Sequence, residues 1–91
     1  IDRAAPAQIR NRIRALATSV DGVLGTGNVR TRQVGRNVWV DLDIFVSPTC
    51  SVETASRIAD EVRGSVLRRT KNVEDVMVCY HAPGLRVAQS D

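Results

Sequence analysis

The chain has 91 residues, 43% apolar and 25% charged, with 13 basic side chains against 10 acidic ones. That length supports one domain with a thin two-layer core and excludes a large internal active-site cavity. The net charge of +3 is mild and its basic residues are scattered along the whole chain. A nucleic-acid partner, which selects clustered charge and exposed stacking aromatics, is therefore not expected.

In chain order, "PAQIRNRIRALATSV" predicts a helix, with Pro6 suited to its first turn. Ile9, Ile13, Leu16, Ala17 and Val20 form one apolar stripe, and Arg10, Arg12 and Arg14 fall mostly on the solvent side. "DGVLGTGN", with Gly22, Gly25 and Gly27, reads as a break rather than an element. "NVRTRQVG" and "VWVDLDIFV" then flank a Gly35-Arg36-Asn37 turn, a hairpin signal. "SPTC" ends the second strand. "SVETASRIADEVRGSVLRR" predicts a second helix, with Ser51 as N-cap and Glu53 in the first turn. Its stripe is Val52, Ala55, Ile58, Ala59, Val62 and Val66, and Gly64 weakens it without breaking it. "VEDVMVCYHAP" is a third strand ending at Pro83, and residues 84–91 read as a frayed tail. No internal repeat or low-complexity segment interrupts this order.

The predicted order α-β-β-α-β calls for a two-layer α+β sandwich over residues 1–83, with both helices on one face of a three-stranded sheet. The helical crossover lets the third strand run parallel to one of the first two. Cys50 and Cys79 lack CxxC spacing, so neither a zinc knuckle nor a redox pair is indicated. Nothing resembles a signal peptide, and no apolar run approaches the roughly 20 residues that cross a bilayer. The chain as given is expected to be soluble, and its opening without Met reads as that of a fragment.

The second strand raises the functional question. Val38, Val40, Leu42, Ile44 and Val46 alternate with Trp39, Asp41, Asp43 and Phe45, so the only Trp and the only Phe share a face with two acids. If the third strand gives Val76, Val78 and Tyr80 to the helices, its other face carries Met77, Cys79 and His81. Carboxylate, thiolate and imidazole on one face suit a borderline first-row divalent cation such as zinc, iron, nickel or copper. Residues two apart on a strand point the same way, about 7 Å apart. The residues alone leave a blander reading open. His81 can be a hydrogen-bonded surface residue, Asp41 and Asp43 solubilising groups, and Cys79 a small hydrophobe. Trp39, Phe45 and Met77 would then mark a homodimer interface or a face partly covered by the tail. No nucleophile–base arrangement is present, and Gly25-x-Gly27 precedes a strand rather than a helix, so no enzyme is expected.

Taken together, "GVLGTGNVRTRQVG", the "VWVDLDIFV" strand, "SVETASRIADEV" and "VEDVMVCYHAP" resemble the cytosolic C-terminal domain of cation diffusion facilitator transporters. The resemblance covers roughly residues 8 to 83. It implies a ferredoxin-like, metallochaperone-like domain that dimerises below a membrane domain exchanging divalent cations for protons. It further implies that bound metal draws the protomers together and tunes transport. In the family a His often stands at the position of Asp43, which can replace it as an oxygen ligand. The usual second-helix His is Ser56 here, and Gly27 stands where a His is common. Counting forward from Asp75-Val76 places Cys79 on the family's last-strand His and His81 on its acid. Counting back from Pro83 gives Tyr80 and Ala82 instead. The first count keeps both ligand types on the face of Asp41 and Asp43. The Trp39-x-Asp41 pair resembles the magnetosome-associated branch, whose members move iron and whose matching Trp and Asp belong to the cytosolic metal site.

The expectation is a homodimeric regulatory domain on the cytoplasmic side of a bacterial inner or magnetosome membrane. Its partners would be the transporter's own membrane domain and other assembly proteins. Asp41, Asp43, Cys79 and His81 would bind zinc or iron beside Trp39. The rival is a structural dimerisation module that senses no metal. A small-molecule sensor would need a pocket that 91 residues hardly provide.

Overall fold

The computed structural model describes residues 3–83, so the expected tail at 84–91 lies outside the described residues. The elements are α1 (Ala7–Thr18), β1 (Gly25–Val34), β2 (Asn37–Phe45), α2 (Val52–Arg69) and β3 (Val73–His81). The sheet order is β1-β2-β3, with β1 antiparallel and β3 parallel to the central β2. Both helices supply the second layer. Ile13 and Ala17 of α1, and Ala55, Ile58, Ala59, Val62 and Val66 of α2, meet Val38, Val40, Leu42, Ile44 and Val46 in one buried cluster. Apart from Leu42 these are small or β-branched side chains, which lets helices and sheet close without aromatic filler.

Local chemistry accounts for the ends of the elements. Ser51 Oγ accepts the Thr54 N–H at 3.0 Å, capping α2 as expected. At the other end Arg12 Nε and Nη2 donate to the Arg69 carbonyl at 3.0 and 2.6 Å. Arg12 thus ties α1 to the electronegative end of α2, a role beyond that of a solvated face. The hairpin turns through Gly35 and Arg36 alone, since Val34 and Asn37 already pair. Gly35 sits at φ +60° in the first central position, which a two-residue turn of this twist demands. Both sheet edges are partly covered. Arg3 exchanges backbone hydrogen bonds with Gln33 on β1, and Arg63 reaches from α2 to donate through Nε to the Val76 carbonyl at 3.1 Å.

Several expectations need correction. Pro6 precedes α1 rather than entering it; its carbonyl accepts the N–H groups of Ile9 and Arg10. The helix closes at Thr18, two residues before the end of its apolar stripe. The glycine-rich break is half strand: β1 begins at Gly25, and its register with β2 shifts between Thr26 and Val29. Val52 belongs to the predicted apolar stripe, yet in the first turn of α2 it is 74% exposed. Tyr80 lies beside Val46 and Ala55, yet 39% of it remains exposed because β3 is the edge strand.

Candidate metal centre

The alternation of β2 controls which side chains leave the core. Val38, Val40, Leu42 and Ile44 are at most 2% exposed, while Trp39, Asp41, Asp43 and Phe45 between them are not buried. On β3 the register sets Asp75 beside Trp39, Met77 beside Asp41, Cys79 beside Asp43 and His81 beside Phe45. All seven residues expected on the far face therefore share it. On the other flank β1 sets Arg30 beside Asp41 and Arg32 beside Trp39.

Asp43 is the least exposed acid of this face. His81 Nε2, carrying its proton there, donates to Asp43 Oδ1 at 3.3 Å, and Arg30 Nη1 lies 3.6 Å from Asp43 Oδ2. The Asp43 side chain is only 19% exposed against 50% for His81 and 55% for Arg30, so the carboxylate is the inner member of the trio. Phe45 positions the imidazole, with ring centroids 5.9 Å apart and planes tilted by 48°. Gly27 lies close to this pair: a Cβ there would stand 3.2 Å from the Asp43 Cβ, displacing that side chain by a few tenths of an ångström, and 3.5 Å from Phe45 Cζ, in ordinary contact.

One strand position along, Arg30, Arg32, Trp39, Asp41, Asp75 and Met77 surround a shallow concavity of about 300 Å³. The Arg32 guanidinium lies over the Trp39 ring, 5.2 Å from its centroid. Asp75 is held by Arg63, whose Nη2 donates to Oδ1 at 2.7 Å; this bond and one involving the Val76 backbone keep its carboxyl below the ordinary carboxylate range. Cys79 is free and exposed, as is the thioether of Met77 at 63% exposure. Among the described residues no three of His, Cys, Asp and Glu converge into a metal cage. The four expected ligands thus resolve into an Asp43–His81 pair with Asp41 and Cys79 alongside.

The face also holds three groups that the chain order did not assign to it: Arg30, Arg32 and Asp75. The signal for the arginines was present. Pairing "NVRTRQV" back across the tight turn puts Val29, Thr31 and Gln33 on the helix side and sets Arg30 opposite Asp41 and Arg32 opposite Trp39.

A two-layer α-β-β-α-β sandwich with one open sheet face defines a small domain of the ferredoxin-like type. The chain belongs to the cation efflux protein family, of which residues 5–80 match the cytoplasmic domain. Among curated relatives it is 34% identical over 82 residues to the magnetosome protein MamM of Magnetospirillum gryphiswaldense, covering 90% of this chain and 26% of MamM. It is 33% identical over 69 residues to the cation-efflux pump FieF of Shigella flexneri, covering 76% of this chain and 23% of FieF. Metal tolerance protein C1 of Arabidopsis thaliana is 32% identical over 78 residues, covering 86% of this chain and 17% of that protein. The chain thus spans about a quarter or less of the length of these relatives. Among solved structures, a variant of the MamM C-terminal domain in a nickel form superposes with a TM-score of 0.83 at 35% identity, covering 85% of this chain and 98% of that one. The fold and the family expected from the resemblance are both confirmed.

Proposed function

We propose that this domain binds divalent transition-metal ions on its open sheet face and regulates a membrane cation transporter from the cytoplasmic side. The observation that carries the reading is the Asp43–His81 contact, an oxygen and a nitrogen donor already together on an accessible face. Asp41 and Cys79 flank that pair, and water or a second copy of the chain completes the coordination. The donor chemistry suits zinc, iron or nickel, and the nickel form of the MamM domain supports this class. The domain acts as a homodimer attached to the transporter's membrane part. Metal that binds one arrangement of the dimer more tightly than another shifts the population by that difference, about 1.4 kcal/mol for each factor of ten.

A second reading has its own observation. Exposed Met77 lies on the same face as part-exposed Trp39 and Phe45, and apolar groups of that kind also build assembly surfaces. Trp39 fluorescence during titration with Zn²⁺, Fe²⁺ and Ni²⁺, with sedimentation run alongside, separates the two. Saturable quenching with a metal-dependent change in sedimentation supports regulation by metal. A flat response to every ion up to the millimolar range, in a chain that dimerises regardless, leaves only assembly.

Arg30 is a built-in competitor in this scheme, because its guanidinium faces the carboxylate that the ion would use. Replacement of Arg30 by Gln is expected to tighten divalent-ion binding by up to about fivefold. An exposed ion pair is worth at most about 1 kcal/mol, which sets that ceiling. Calorimetric titration of the variant against the wild type reads the difference, and unchanged or weaker affinity would remove Arg30 from the competition.

A further inference from the structure

The hard and soft donors of the open face are not equally engaged. Asp43, the inner carboxylate, is met by both Arg30 and His81. Met77 and Cys79 stand two residues apart on the same face of the edge strand, one 63% exposed and the other a free, exposed thiol. We propose that Met77 and Cys79 form a soft-metal site that takes monovalent copper, distinct in its ligands from the Asp43–His81 pair. This inference rests on the reading of the face as metal-binding and names a second class of ion for it.

The argument is one of ligand type and reach. Thioether and thiolate sulfurs select Cu(I), whereas carboxylate and imidazole suit the divalent ions. Cu(I) accepts two or three ligands, so a pair of sulfurs is a sufficient nucleus where a zinc cage needs four. Side chains two apart on a strand leave the backbone about 6.6 Å from one another. Two metal–sulfur bonds of about 2.3 Å span about 4.6 Å, a gap that the flexible Met77 side chain can close. Asp41 is the cross-strand neighbour of Met77 and Asp43 that of Cys79, so each sulfur stands beside a carboxylate, whose charge Arg30 offsets in part. The cytoplasm keeps such a thiol reduced and available as a ligand. Binding forms the two copper–sulfur bonds and releases the thiol proton to solvent, with no change of oxidation state at copper or sulfur.

The test is anaerobic titration of the 91-residue chain with Cu(I) against a chromophoric Cu(I) chelator, together with a Zn²⁺ titration of each protein. The site predicts that the wild type withholds copper from the chelator and that Cys79→Ser ends this. Met77→Leu should weaken retention about tenfold, or about 1.4 kcal/mol. Cys50→Ser, at the half-buried cysteine before α2, should leave it unchanged. Circular dichroism checks that each variant keeps its fold. Copper retention that ignores Cys79 or Met77, or that fails in the wild type, overturns the soft site. If Zn²⁺ still binds in that case, the divalent reading survives alone; if neither ion binds, both fall.

Discussion

Exchange of Asp43 and His81 together for Ala is expected to weaken divalent-ion binding at least about a hundredfold, or about 2.7 kcal/mol. The fold should be intact, because both side chains lie outside the core and neither supports a buried partner. The size of the effect follows from the pairing. With both gone, a divalent ion keeps only Asp41 and Cys79, one strand position away on either strand. Arg30 would then face the open position as an uncompensated cation and repel the ion further. Trp39 fluorescence titration of the double variant reads this directly. The single variant Asp41→Ala makes the result specific. A loss of a few fold fits an Asp41 that adds charge beside the site. A larger loss from Asp41 alone than from the pair would move the centre to the concavity at Trp39.

How far the sequence reveals such a site depends on which kind of order the site uses. The nine residues from Val38 to Val46 alternate so strictly that their two faces are legible without coordinates, because a half-buried strand leaves no other register. The third strand is legible for the same reason, and the coincidence of Asp43 with His81 comes from its parallel register. The amphipathic stripes likewise announce both helices. Errors gathered where local pattern gives way to geometry at the ends of elements. Val52 continues the helical period but stands in the first turn of α2, where it is 74% exposed. Gly25 and Gly27 carry turn composition yet belong to β1, where small residues let Phe45 and Asp43 lie close above them. Tyr80 has the right parity but sits on an edge strand, with cover on one flank only. Arg30 was read as one charge among many. Only the cross-strand register turns it into the partner of Asp43.

That register also explains why the open face tolerates its composition. Two acids on adjacent positions of one strand face repel each other, and aromatic neighbours limit their hydration. β1 answers with Arg30 at Asp43 and Arg32 over Trp39, so the face carries its own counter-charges. Under the proposed function, an ion bound there would replace an internal cation rather than enter an unscreened acidic patch. Its affinity would then be set by exchange, as a sensor that releases its ligand when concentration falls requires.

The site is only as well placed as the core beneath it, and Leu42 is the residue on which both depend. It lies between Asp41 and Asp43, is 1% exposed, and pairs across the sheet with Val29 on one side and Val78 on the other. Leu42→Ala is expected to cost about 3 kcal/mol, the sum of lost transfer energy and the cavity left in a core that cannot close over it. A domain of this length is stable by about 5–14 kcal/mol in total, so one methyl-rich side chain accounts for a large share. In urea unfolding the midpoint should fall by about 2 M at a slope near 1.5 kcal/mol/M, with that slope unchanged. Val52→Ala removes a similar apolar group from a 74% exposed position and should stay within about 0.5 kcal/mol of the wild type. Equal losses at the two positions would mean that Val52 is covered in solution, as it would be in an assembly that buries the first turn of α2. A small loss at Leu42 would mean that β2 can shift to fill the gap. In that case the outward side chains of Asp41 and Asp43 would move with it, and divalent-ion affinity should drop even though neither ligand has been changed.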